Sequence, residues 1–162
     1  LQALIDNMYQ TMENASGVGL AAPQVGLAIR LFIVDASPME DDKAGDFSEV
    51  FINAVIEQEQ GELWKYNEGC LSIPGVREDV YRHPEVKITY FDRHFVKHTK
   101  IFDGIVARII QHEYDHIEGI LFPDHIRGLK KQLLKSKLQR IAKGETRASY
   151  PTRLQKSSTP KK

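Results

Sequence analysis

The stretch QHEYDH, Gln111–His116, lies inside the longer run DGIVARIIQHEYDHIEG, Asp103–Gly119, and its reading decides the fold. Asp103 is placed to cap the start and Gly119 to stop the end, framing a helix of about four turns. Residues four apart on a helix share a face, so His112 and His116 present their rings to one point, with Glu113 beside them. Ile105 and Ile109 fall on the same stripe, which therefore faces the interior. Core histidines on a buried face are the bland alternative. Two histidines at this spacing around a Glu favour a metal.

Two imidazoles do not fix a catalytic ion, so a third donor is needed. An extended form of the motif places Gly three residues after the second His and another His three further on. Gly119 fits the first position, but Phe122 occupies the second and cannot coordinate. His125 would require the chain to fold back. Glu145 lies in a polar tail, and His83, His94 and His98 sit in exposed strand or turn contexts. Cys70 remains, in NEGCLSIPG, where Gly69 permits a tight backbone and Pro74-Gly75 reads as a turn. A lone Cys is more often an inert buried hydrophobe. Beside a helix that lacks its third donor, it becomes the leading candidate. One thiolate and two imidazoles leave a fourth tetrahedral vertex for water, the arrangement of a catalytic site.

Outward from that helix, Leu4, Ile5, Met8 and Met12 recur at helical spacing, giving an amphipathic helix that ends near Asn14. SGVGLAAPQVG reads as a glycine-rich loop passing close to something, and IRLFIVD as a short buried strand. PMEDDKAGD reads as an acidic surface loop. VFINAVIEQE, GELWKYNEG, VREDVYR, EVKITYFD and HFVKHTKIFD are strand-like, with turns at Gln60-Gly61, His83-Pro84 and Asp92-Arg93. LKKQLLKSKLQRIA is a second helix with Leu129, Leu133, Leu134, Leu138 and Ile141 among Lys and Arg. Strands first and the main helices later give an α+β domain.

The chain has 162 residues, 41% apolar and 27% charged, which suits one compact domain. Residues 1–144 are expected to form a single catalytic domain, and 145–162 a basic, disordered tail. The opening LQALIDNMYQTMEN reads as the middle of a domain, so a segment ahead of Leu1 is expected. No apolar run approaches the roughly 18 residues that span a bilayer. The single cysteine excludes an internal disulfide and fits a reducing cytosol. The zero net charge conceals a division. Residues 1–126 carry 10 Lys and Arg against 21 Asp and Glu, whereas 127–162 carry 12 against one.

Three segments, GVGLAAPQ (Gly17–Gln24), EGCLS (Glu68–Ser72) and QHEYDH, together resemble the peptide deformylase family, and EGCLS resembles its bacterial branch with a C-terminal helix. The resemblance implies antiparallel strands packed around a central HExxH helix, with an N-terminal helix and a basic C-terminal one. It implies metal-dependent removal of formyl from N-formylmethionyl peptides, with Cys70, His112 and His116 as ligands, a metal-activated water as nucleophile and Glu113 as general base and acid. The Gln24 amide and the Leu71 N–H match the family's oxyanion donors. Gly17 and Gly19 match the place where peptide backbone approaches. Val18, Ile105 and Ile109 are expected to wall the methionine pocket, and Glu68, Gly69 and Arg77 to border it. A surface salt bridge between Glu68 and Arg77 is the competing account. Thiolate and imidazole donors suit iron, nickel, cobalt or zinc, and Fe(II) is what the resemblance implies. A cytoplasmic monomer is expected, with ribosome docking through the basic helix as a sharper expectation, motivated by the charge division, beside plain packing of that helix. An endopeptidase is the nearest rival, and a non-catalytic metal or RNA-binding module the next.

Overall fold

Strand-forming sequence fills the middle of the chain and helical periodicity its two ends. The computed structural model keeps that division; it describes residues 1–39, 44–145 and 148–154. Helix α1 (Gln2–Asn14) leads into β1 (Gly19–Ala21), a 3-10 turn (Ala22–Val25), β2 (Leu31–Asp35), β3 (Ser48–Gln60), β4 (Trp64–Cys70) and β5 (Ile73–Arg82). β6 (Glu85–Phe91) and β7 (Lys97–Asp103) follow, then α2 (Gly104–Ile117), a second 3-10 turn (Phe122–His125) and α3 (Gly128–Ala142). The α+β expectation holds.

β1, β2, β3, β6 and β7 form one antiparallel sheet in that order, and β4–β5 form a separate hairpin. Alternation decides the layers. In β2, Leu31 and Ile33 meet Ile5, Met8 and Met12 of α1, while Phe32 and Val34 turn to the α2 side. Both faces of the strand are covered, which is why Leu31–Val34 are apolar throughout and only Asp35, at the strand's end, is charged. On the α2 side Phe32 and Phe51 stack with ring centroids 4.7 Å apart, and Tyr90 lies 4.3 Å from Phe51. The hairpin covers the other side of α2, where Ile73, Val76 and Val80 pack with Phe122 and Ile126. The metal-motif helix is thus enclosed by strands, as expected.

Some expectations change. The glycine-rich stretch taken for a loop contains β1 and a 3-10 turn. Gly19–Ala21 pair with Phe32–Val34, and three residues that are all buried show no readable alternation. The turn after Cys70 is Leu71-Ser72, because Cys70 pairs with Ile73, and Pro74-Gly75 lie within β5. Asp103 occupies the cap position of α2 without a side-chain cap bond, and Gly119 follows its end with φ +75°. α3 turns Leu134, Leu138 and Ile141 onto the hairpin, but Leu129 and Leu133 are 70% and 71% exposed. The acidic loop falls partly on 40–43, and the expected disordered tail partly on 146–147 and 155–162, all outside the described residues. Ala148–Leu154 are described, and Tyr150 packs against the hairpin tip.

Candidate metal centre

Cys70 ends β4 at the tip of the hairpin, and α2 passes beneath it with His112 and His116 one turn apart. The Cys70 Sγ and one ring nitrogen of each histidine lie within 4.8 Å of one another. Cys70 Sγ is 3.3 Å from His116 Nε2. A tetrahedral ion with bonds of about 2.0–2.3 Å spaces its donors roughly 3.3–3.7 Å apart, so the trio fits a metal with little adjustment. Among the described residues these three form the one such group. The ligand set that sequence reasoning reached by elimination is brought together in space.

The ring of His112 is held from behind. Its Nδ1 lies 3.0 Å from Glu68 Oε2, which directs Nε2 toward the sulfur. Glu68 is 5% exposed and also receives Arg82 at 2.8 and 3.0 Å and Arg108 at 2.9 Å. Burial alone would raise its pKa, but His112 and Arg82 outweigh it and hold the carboxyl well below the usual range. Arg82 continues to Asp115 at 2.7 Å, which also accepts from His125. Arg108 stacks over Trp64 at 4.4 Å. The Glu68–Arg77 pair considered above does not form. Arg77 bonds Asn67 instead, and Glu68 holds the His112 ring while also bordering the cavity.

Glu113 differs from every other acid near the site. It is 3% exposed, and its Oε2 has no hydrogen-bond partner. Burial pushes its pKa up to about 7, against the pull of His112 and Arg82. His112 is pushed up to about 10 because its bonds to Cys70 and Glu68 outweigh burial, whereas burial and the neighbouring His112 take His116 down to about 4.

Facing α2, Gln24 accepts the Ala21 N–H at 2.8 Å through Oε1, which fixes its amide orientation. Its Nε2 then reaches Ser72 Oγ at 3.1 Å and the Cys70 sulfur at 3.6 Å. Gly19 is required by contact. A Cβ there would lie 2.5 Å from Glu113 Oε1. A Cβ on Gly69 would lie 2.9 Å from an Arg77 guanidinium nitrogen.

A cavity of about 530 Å³ opens over this group. Val18 and Gly19 border one side, Gly69, Leu71 and Arg77 the other, and Ile105 and Ile109 the floor beside His112 and Glu113. Sequence reasoning missed Arg82, Arg108, Asp115, Ser72 and Tyr150. Arg108 carried a signal, being a charge inside the apolar run IVARII, where burial demands an acidic partner. Tyr150 is the single aromatic of a polar tail.

A family model described as polypeptide deformylase matches residues 1–132. A peptide deformylase of Cytophaga hutchinsonii is 58% identical over 144 residues, 89% of this chain and 78% of that one. One of Flavobacterium johnsoniae is 55% identical over 159 residues, 93% and 81% of the two chains. Among solved structures, a peptide deformylase from Legionella pneumophila superposes with TM-score 0.76 at 35% identity, covering 93% of this chain and 84% of that one. The Arabidopsis thaliana peptide deformylase 1B gives 0.80 at 33%, covering 89% and 78%.

Proposed function

The chain belongs to the polypeptide deformylase family, and from that premise we propose how its own residues carry the reaction. The enzyme is a hydrolase that removes the formyl group from the N-terminal formyl-methionine of nascent peptides. The family is metal-dependent, and this chain holds a matching donor group.

Cys70, His112 and His116 are the residues that would hold the ion, with Glu68 fixing the His112 ring from behind. The observation that carries this reading is the approach of one sulfur and two ring nitrogens to within 4.8 Å, beside an unpartnered buried carboxylate oxygen on Glu113. A bound divalent ion supplies Lewis acidity to a water and to the formyl carbonyl. Glu113 takes the water's proton and returns it to the departing amine. A carboxyl held near neutrality can do both, and such transfer is worth about 10² to 10⁴ in rate. The Gln24 amide and the Leu71 N–H face the oxyanion, where each donor is worth roughly 10² to 10³. Val18, Ile105 and Ile109 enclose the methionine side chain. Gly19 and Gly69 let peptide backbone approach, and Arg77 holds the Asn67 end of the same wall.

Ferrous iron is the native ion in this reading, with zinc, nickel or cobalt able to occupy the same donors. The protein acts as a cytoplasmic monomer, and residues 1–144 form its single catalytic domain. No described helix is long and apolar enough to cross a membrane. The lysines of α3 dock on ribosomal RNA. Deleting 127–162 is expected to abolish a salt-sensitive ribosome co-sedimentation, and unchanged binding would end the docking idea.

The decisive assay compares a formyl-methionyl peptide with a blocked peptide cleavable only at an internal amide, under anaerobic conditions. Formate release from the first alone is expected. Cleavage of the second alone would replace the deformylase reading with an endopeptidase.

A further inference from the structure

The hairpin tip that carries Cys70 and Leu71 is built in an unusual way. Two-residue hairpin loops ordinarily use left-handed residues, with φ positive at one or both positions, because that twist matches the flanking strands. Neither Leu71 nor Ser72 has a positive φ, and the register breaks between Gly69 and Cys70 just before the turn. A turn of this kind matches the twist of the flanking strands less well, so bonds from outside the hairpin help to hold it in place.

Gln24 supplies one of them, to Ser72 Oγ at 3.1 Å, and the C-terminal part of the chain supplies the others. Tyr150 Oη donates to the Leu71 carbonyl at 2.6 Å, and burial raises the phenol's pKa, so it keeps its proton. Lys137 on α3 donates to the Gly75 carbonyl, three residues past the turn. Lys130 pairs with Glu78 at 3.0 Å further along β5. Leu134, Leu138 and Ile141 seat α3 against Ile73, Val76 and Val80 of the same strand. Ala148–Tyr150 line the cavity, yet about 530 Å³ stays open with them in place, enough for a bound ligand. The segment is a rim and not a plug.

We propose that α3 and Ala148–Tyr150 form a clamp on the hairpin tip, in which Tyr150 is a positioning residue that sets the Leu71 peptide against the substrate carbonyl. The inference rests on the deformylase reading and on Leu71 as an oxyanion donor, and goes beyond both. Tyr150 touches neither the reacting atoms nor the metal donors. It acts through the peptide group that follows the Leu71 N–H. A misplacement of about 1 Å is enough to cost up to 10²-fold in turnover.

The test compares wild type, Tyr150→Phe, Tyr150→Ala and Lys137→Met as full chains with equal metal content. Steady-state formate release is measured from a formyl-methionyl peptide, together with amide hydrogen exchange over 68–76. Tyr150→Phe keeps the ring and loses only the donor. The expected result is a fall in kcat of about tenfold with KM changed less than about twofold, and faster exchange in that segment. Lys137→Met is expected to move both readouts in the same direction by less. Tyr150→Phe at wild-type kcat overturns the proposal, whatever Tyr150→Ala does. Unchanged exchange over 68–76 overturns it equally, since the bond would then hold nothing. Absence of formate release by the wild type would instead sink the deformylase reading, so the two failures are distinct.

Discussion

α2 and α3 are nearly the same length, 14 and 15 residues, and the molecule uses them in opposite ways. Nine residues of α2 are buried and none of α3, so side-chain substitutions on the two should cost very different amounts. α2 lies between the five-stranded sheet and the hairpin, and even its polar residues are enclosed. Arg108, Gln111, Glu113 and His116 are each 6% exposed or less. α3 touches the body along one narrow stripe, with Lys130 and Lys137 reaching β5 from its edge. Buried polar groups are expensive unless paired, and among the described residues of α2 only Arg108 Nε and Glu113 Oε2 go without a partner, Arg108 being paired through its other two nitrogens. The lesson is that chemistry here resides where the packing is tightest, while the exposed helix steadies the turn above it.

The largest effect expected is from Glu68→Ala, which strips the common partner from Arg82, Arg108 and His112. Breaking a buried ion pair costs about 3–5 kcal/mol. Urea denaturation should show that loss, and elemental analysis a reduced metal content. Ile110→Ala follows, at about 2–5 kcal/mol for a buried side chain with 0% exposure. Gly19→Ala sharpens the contrast differently. Its added Cβ must displace Glu113, so formate release should fall about 10²-fold while the metal stays bound. Smallest is Leu133→Ala on α3, within about 0.5 kcal/mol of wild type in the same denaturation assay. A cost above 2 kcal/mol there would show α3 to be integral to the core and break the comparison.

Much of this contrast was legible in the sequence. The apolar stripe of α2, its flanking Asp103 and Gly119, and the lysine-rich pattern of α3 all reflect local periodicity, which the folded chain preserves. The convergence of Cys70, His112 and His116 was legible because the helix supplies two of the group and elimination makes Cys70 the leading third. What could not be read depends on pairing across the chain. Glu68 was placed at the cavity but not under His112, because its partners Arg82 and Arg108 lie 14 and 40 residues away. The turn falls at Leu71-Ser72 and not at Pro74-Gly75 because turn chemistry, strong at the latter, is carried at the former by Ser72 alone. β1 escaped notice because three residues, all of them buried, are too short a run to carry a period. Tyr150 was passed over because a polar tail gives no sign of where it lands.

The central claim is that Glu113 is the group that moves the proton while Cys70, His112 and His116 hold the ion. Glu113→Gln tests it most directly, with metal content and formate release measured on the same sample. The account predicts one metal per chain, as in wild type, and turnover lower by about 10² to 10⁴. Turnover at the wild-type rate with the metal retained would contradict it.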